Sequence, residues 1–71
     1  MSTKRPSDRE LAGMTTNERL FACGLVSRWD NAVLRRNREE MIRILRETAL
    51  SETEAAVITD TVLENPDKYG F

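Results

Sequence analysis

Apolar residues recur at the three- and four-residue spacing of an amphipathic helix in three stretches of the chain. Each stretch follows a capping box, in which a small polar side chain accepts from an amide of the first turn and a glutamate reaches back. The boxes are Thr15/Glu18, Asn37/Glu40 and Ser51/Glu54. They predict helices at about 16–36, 38–48 and 52–64, the last ending before Asn65-Pro66. No stretch alternates as a half-buried strand does.

The apolar sides of the three predicted helices are expected to pack against one another. Because the joining turns are short, these faces predict an all-α fold, a small three-helix bundle around Trp29. The predicted core consists of Phe21, Leu25, Trp29, Val33, Ile44, Leu45, Ile58 and Val62. A chain of 71 residues forms one domain with a small core, so its stability should be marginal.

The stretch LRRNREEM, residues 34–41, contains no Gly or Pro and could also continue as one long helix. A sevenfold row supports such a rod, although the companion row of a coiled coil is mostly polar. The row consists of Leu20, Ser27, Leu34, Met41 and Thr48. Helical phase favours a bend at Asn37, because an unbroken helix would point the two apolar faces about 150° apart. We therefore predict that the helix breaks there.

Both ends of the chain are predicted to lie outside the three helices. Residues 1–14 are expected to be a flexible N-terminal extension, and residues 15–71 a single helical domain with an aromatic C-terminal tail. In the tail NPDKYGF, Tyr69 and Phe71 are expected to fold back onto the bundle, since aromatic surface is costly to leave in water. Alternatively, the tail is a peptide motif that a partner captures.

Composition argues against several kinds of site. The chain has one cysteine, Cys23, and no histidine, so neither a disulfide nor a four-ligand zinc site is expected. A single thiol indicates a reducing, cytoplasmic setting. No apolar run approaches the roughly 20 residues of a membrane span, and the start MSTKRPSDRE lacks the apolar core of a signal peptide. No cofactor or small-molecule substrate is indicated.

Catalytic chemistry finds little support in the residue types. Without histidine there is no Ser-His or Cys-His pair, and Cys23 is interpreted as a small core residue. The carboxylate pairs Glu39-Glu40 and Glu52/Glu54 lie at predicted helix starts, where capping explains them. No Gly-rich loop follows a strand, so a phosphate-cradling motif is absent. The sequence therefore predicts a protein that is not an enzyme.

Charge is divided unevenly along a chain whose net charge is −1. Residues 28–46 hold six Arg against three acidic residues, whereas residues 47–67 hold six acidic residues and no basic one. The candidate basic patch is Arg28, Arg35, Arg36 and Arg38, which could bind nucleic acid by neutralising phosphates. The simpler interpretation is a solvent-exposed turn between two helices. There the helix dipoles favour cations at the C-terminus of the first helix and carboxylates at the N-terminus of the next. A helix-turn-helix is disfavoured, because its second helix would present carboxylates to phosphates.

The predicted first helix also carries a second, narrow stripe outside its main apolar arc: Leu20, Cys23, Ser27 and Leu34. If the other helices cover both flanks of the first, these residues are core. If they do not, the stripe is an exposed seam for a protein contact, and a symmetric dimer along it would add buried area.

Three segments resemble a group of short bacterial all-helical proteins to which no function is assigned. These segments are the run NERLFACGLVSRWDNAV, the run REEMIRILRETALSETEA and the end NPDKYGF. The shared features are an NERL-type start, a central MI-x-IL helix and a PxxYGF end. The resemblance covers residues 15–71 and implies a small helical fold, without adding any site residue.

The leading hypothesis is a small non-enzymatic interaction module that binds itself or another protein. Its candidate surfaces are the Leu20/Cys23/Ser27/Leu34 stripe and the acidic third helix. The alternative is a nucleic-acid-binding accessory protein that uses the Arg35/Arg36/Arg38 patch, with Arg28 beside it.

Overall fold

The computed structural model describes residues 5–71, and within this range every regular element is helical and none is a strand. The order is α1 Asp8–Ala12, α2 Thr16–Ala22, α3 Val26–Leu34, α4 Arg38–Arg46, α5 Glu52–Glu64 and a 3-10 helix, Pro66–Tyr69. The all-α prediction is confirmed. The three-helix count is not, because the described part of the chain has five α-helices.

The predicted first helix, 16–36, is two helices that separate at Gly24. Gly24 has a φ of 69°, in the left-handed region that ends helices. The amide of Leu25 donates to the carbonyl of Leu20 at 2.8 Å, and the amide of Gly24 to that of Phe21 at 3.1 Å. This is a Schellman motif, and the apolar pair that often accompanies it is Leu25 and Leu20, both buried. The chain therefore changes direction between α2 and α3.

The predicted bend at Asn37 is present and uses the same motif. Arg36 has a φ of 54°, and the amide of Asn37 donates to the carbonyl of Ala32 at 2.9 Å. Asn37 then caps α4, its side chain accepting from the amide of Glu40 at 3.2 Å. The long-rod alternative through residues 34–41 is wrong, because the helix ends before Arg36 and a new one begins after Asn37.

Reciprocal capping boxes begin α1, α2 and α5. The predicted boxes at Thr15/Glu18 and Ser51/Glu54 are both complete, whereas at Asn37 only the asparagine half is formed. The amides of Thr15 and Ser51 donate to the two glutamates and lower the pKa of Glu18 and of Glu54 below the ordinary value.

The helix α5 spans the predicted residues 52–64, and α4 is two residues shorter than predicted. Ala49, with a φ of 70°, turns the chain between them. Thr48 is buried there, and its hydroxyl donates to the carbonyl of Leu45 at 2.6 Å, which satisfies the polar group within its own turn.

Part of the predicted flexible extension belongs to the helical fold. Residues 8–12 form α1, and Leu11 on this helix is fully buried. Two arginines join the N-terminal half to the end of α4: Arg5 Nε donates to the carbonyl of Glu47 at 2.9 Å, and Arg19 Nη1 to that of Thr48 at 2.8 Å. The expectation for residues 1–4 lies outside the described residues.

Most of the predicted core is buried around α3 and α4. Buried in one cluster are Leu25, Trp29, Val33, Ile44, Leu45 and Val62, together with Leu20, Ala32, Met41 and Ala55. Ile58 is half-buried against this cluster. The prediction that Phe21 is a core residue is wrong, because its side chain is 81% exposed. The helix α2 turns its Leu20 side to the core, and Phe21 lies about 100° away around the helix.

The helices pack in chain order. Close contacts join α2 to α3, α3 to α4, α4 to α5, and α5 to the terminal 3-10 helix. None of the described helices combines the length and apolar character needed to cross a lipid bilayer.

We expect Trp29→Ala to lower the free energy of unfolding by about 3 to 5 kcal/mol, the usual cost of emptying an aromatic core site. Trp29 is only 5% exposed and lies in the central cluster, so little relaxation should refill its volume. Urea unfolding followed by circular dichroism measures this loss. A loss below about 1 kcal/mol would place the indole outside the core.

A matched pair of substitutions tests the two Schellman motifs. Gly24→Ala should cost about 1 to 2 kcal/mol, because a left-handed φ is unfavourable for alanine although nothing lies within 4 Å of the added Cβ. Arg36→Gly should instead stabilise the fold by up to about 1 kcal/mol, with Arg36→Ala as its control. Urea unfolding reports both. If Gly24→Ala proved stabilising, α2 and α3 would be one continuous helix.

Candidate protein-interaction site

The predicted interface stripe does not form one surface. Leu20 is buried, Cys23 is half-buried against the core, Ser27 is exposed and Leu34 is 68% exposed. The stripe assumed a single helix through these positions. Because the helix breaks at Gly24, the four side chains belong to differently directed segments and do not make one contact surface.

The predicted basic patch is divided by ion pairs. Arg28 donates to the carboxylate of Glu47 through both terminal nitrogens, the closer pair being Nη2 and Oε2 at 3.1 Å. Arg38 also donates two hydrogen bonds to a carboxylate, that of Asp60, and the closer one joins Nε to Oδ1 at 2.7 Å. Arg35 and Arg36 are exposed and form no ion pair within the described part of the chain. Half of the patch is therefore already neutralised.

The segregated charges of the sequence meet across helices. Arg28 joins α3 to the end of α4, and Arg38 joins α4 to α5. Glu40 lies between Arg28 and Arg43, with its Oε1 3.6 Å from each guanidinium, which is an ion-pair distance rather than a hydrogen bond. Basic residues of the segment 28–46 thus form ion pairs with acidic residues of the segment 47–67.

A groove lies between α2, α5 and the C-terminal tail, and residues of α3 line it as well. Its volume is about 910 Å³, enough to receive several side chains of another molecule. The apolar residues that line it are Leu20, Phe21, Val26, Trp29, Val57, Ile58, Val62, Tyr69 and Phe71. We call this surface the aromatic groove, because all four aromatic residues of the chain line it.

Several of these lining side chains are open to solvent. Phe21 is 81% exposed, Val57 60% and Tyr69 43%, and Val26 is also exposed. They come from α2, α3, α5 and the tail, so the fold gathers them from distant parts of the sequence. Large exposed apolar residues that share one concave surface differ from the scattered ones that every protein has.

The tail forms one wall of the aromatic groove. Gly70 adopts a left-handed φ of 88°, and the amide of Phe71 donates to the carbonyl of Pro66 at 3.1 Å. Phe71 is consequently half-buried against the core, whereas Tyr69 stays exposed. The expected folding-back of the tail is seen for Phe71, and Tyr69 contributes exposed aromatic surface instead.

The rim of the aromatic groove is polar but electrically balanced. Hydroxyl and amide groups come from Thr15, Thr16, Asn17 and Thr61, and the only charged lining residues are Asp30 and Lys68. Neither Asp30 nor Lys68 takes part in an ion pair among residues 5–71. Such a surface suits a neutral, largely apolar protein partner better than a polyanion.

Within the described range, no group of three or more histidine, cysteine or carboxylate side chains is placed to hold a metal ion. Asp30 is the only acidic residue at the groove. The geometry of this site therefore provides apolar contact and hydrogen bonding at its rim.

Sequence reasoning missed the aromatic groove because it placed Phe21 in the core. The available signal was Gly24 followed by Leu25, with Leu20 four residues before the glycine, which is the pattern of a helix end. That pattern orients Leu20 inward and Phe21 outward. The opposing wall from α5 has no comparable local signal.

Comparisons of the chain with protein-family models, with curated proteins and with solved structures found no match. The resemblance to short bacterial helical proteins therefore stays a prediction.

The Arg38–Asp60 pair makes stability depend on pH. The hydrogen bonds from Arg38 hold the pKa of Asp60 below its ordinary value, so the ionised carboxylate stabilises the fold at neutral pH. This contribution is complete above the unfolded pKa of about 4 and is lost as the pH falls through the folded pKa. Thermal unfolding between about pH 7 and 2 should show Asp60→Asn less stable than the parent at pH 7 and equal to it at the acid end.

Arg38→Gln provides the control for this pH dependence. In that background, Asp60→Asn should lose most of its effect at pH 7, because the hydrogen bonds that lower the pKa of Asp60 are gone. An undiminished effect would mean that Asp60 stabilises the fold by some other contact.

Proposed function

We propose that this chain is a small non-enzymatic interaction module that binds a protein through the aromatic groove. The observation that carries the proposal is the convergence of all four aromatic residues on one groove. Aromatic side chains are enriched at the centres of protein interfaces, where they supply most of the binding energy. A surface of this kind supports protein binding more than nucleic-acid binding.

The exposure of Phe21 supports the proposal further. A phenylalanine in a 71-residue chain would stabilise the fold if it were buried, and the core of so small a domain is limited. Phe21 is instead the most exposed large apolar side chain of the described residues. Its exposure gives the folded monomer little stability, so we propose that its use is in a complex.

The expected partner surface follows from the chemistry of the aromatic groove. It should present apolar side chains that fit between α2 and α5 and cover Phe21, Val57 and Tyr69. At its edge it should offer hydrogen-bonding groups and charges of both signs, opposite Asp30 and Lys68. A cytoplasmic setting, supported by the single unpaired thiol of Cys23, is part of the same proposal.

A nucleic-acid-binding accessory protein is the second candidate. It is favoured by Arg35 and Arg36, which are exposed at the end of α3 and carry no ion pair among the described residues. It is disfavoured because Arg28 and Arg38 are held by carboxylates, leaving two neighbouring cations rather than an extended basic surface. We therefore rank it below protein binding.

Photo-crosslinking in the native cell tests the proposed function. A photoreactive benzophenone side chain in place of Phe21 should form covalent adducts with a protein partner, because position 21 borders the aromatic groove. The matched control is the same side chain in place of Leu34, which is similarly exposed but does not line the groove. Adducts at position 21 that are absent at position 34 are expected on denaturing gels. Equal labelling, or none at position 21, would contradict the proposal.

A further inference from the structure

We infer that the partner of the aromatic groove is a second copy of this chain, related to the first by a two-fold axis. The inference rests on the proposed function, since it identifies the protein that occupies the same groove.

The shape of the surface is the first support. A two-fold interface brings the same patch of both copies together, so that patch must carry both a projecting group and a recess for it. The aromatic groove has both: Phe21 projects from α2 with its side chain 81% exposed, and Trp29 forms part of the buried lining beside it. Phe21 of each copy can therefore enter the groove of the other.

The charges at the rim are the second support. Asp30 on α3 and Lys68 on the tail have opposite signs, and neither is paired within the described residues. If Asp30 of one copy faces Lys68 of the other, the two-fold axis repeats that contact, so the interface contains two equivalent Asp30–Lys68 pairs. A partner of strongly acidic or basic character would leave one of these two charges facing a like charge.

The charge of the whole chain is the third support. Its net charge is −1, so two copies meet with almost no long-range repulsion. Two copies would also bury the exposed apolar surface of both chains at once, and a small domain gains most from such an addition.

Sedimentation of the purified chain tests the inference. We expect a reversible monomer–dimer equilibrium between about 10 µM and 1 mM, because only a few large apolar side chains of each copy are exposed at the groove. Phe21→Glu should weaken dimerisation at least about tenfold, whereas Leu34→Glu, which adds the same charge to a side chain outside the groove, should not. A chain that is monomeric throughout this range, or equal effects of the two variants, would overturn the inference.

Charge reversal provides a sharper test of the two-fold arrangement. Asp30→Lys alone should place like charges opposite each other in both pairs, and Lys68→Asp alone should do the same with the other sign, so each variant should dimerise about tenfold less. When the two variants are mixed, every facing pair is again of opposite sign, and heterodimers should form with the parent affinity. Failure of the mixture to associate would overturn the proposed pairing.

The outcomes separate this inference from the proposed function. An adduct at position 21 in cells with the mass of two chains supports both. An adduct with another protein, together with a monomeric purified chain, overturns the second copy as partner and leaves protein binding in place. The absence of any position-specific adduct, together with a monomeric purified chain, overturns both.

Discussion

The left-handed residue at Gly24 controls which side of α2 faces the core, and much of the remaining arrangement depends on it. The Schellman motif brings Leu25 back onto Leu20, so the two leucines pack together and Phe21 is turned away from them. Arg36 repeats the same reversal at the other end of α3. Between these two turns α3 is held with its Trp29 side toward the other helices, and this orientation makes Trp29 both a core residue and part of the groove lining.

Electrostatics has a secondary role that the distribution of charge along the sequence does not reveal. Acidic and basic residues are segregated in the sequence, yet Arg28 and Arg38 each reach a carboxylate on a neighbouring element. These pairs lie at the surface, where an ion pair contributes less stability than the burial of a core residue. They add contacts between α3 and the end of α4 and between α4 and α5, while apolar packing supplies most of the stability.

The parts of the fold that were predictable are those encoded by neighbouring residues. The predicted start of α5 after Ser51, its end before Asn65 and the bend at Asn37 are all present. They were predictable because capping and chain reversal depend on a few adjacent side chains. The misplacement of Phe21 came from one backbone dihedral: a single left-handed residue resets the helical phase, so an apolar arc extrapolated across it has no meaning. The groove between α2 and α5 is non-local and depends on how four helices stack, which periodicity alone cannot supply.

The use of aromatic residues connects this architecture to function. The buried cluster is made mostly of aliphatic side chains around one indole, although Phe and Tyr would fill a small core with fewer residues. Phe21 on α2 and Tyr69 on the tail instead line one groove, together with Phe71. A monomer gains little from this distribution, since it leaves apolar surface in water without adding to the core. The same distribution becomes favourable once another protein surface covers the groove, because the exposed side chains of Phe21 and Tyr69 are then buried together.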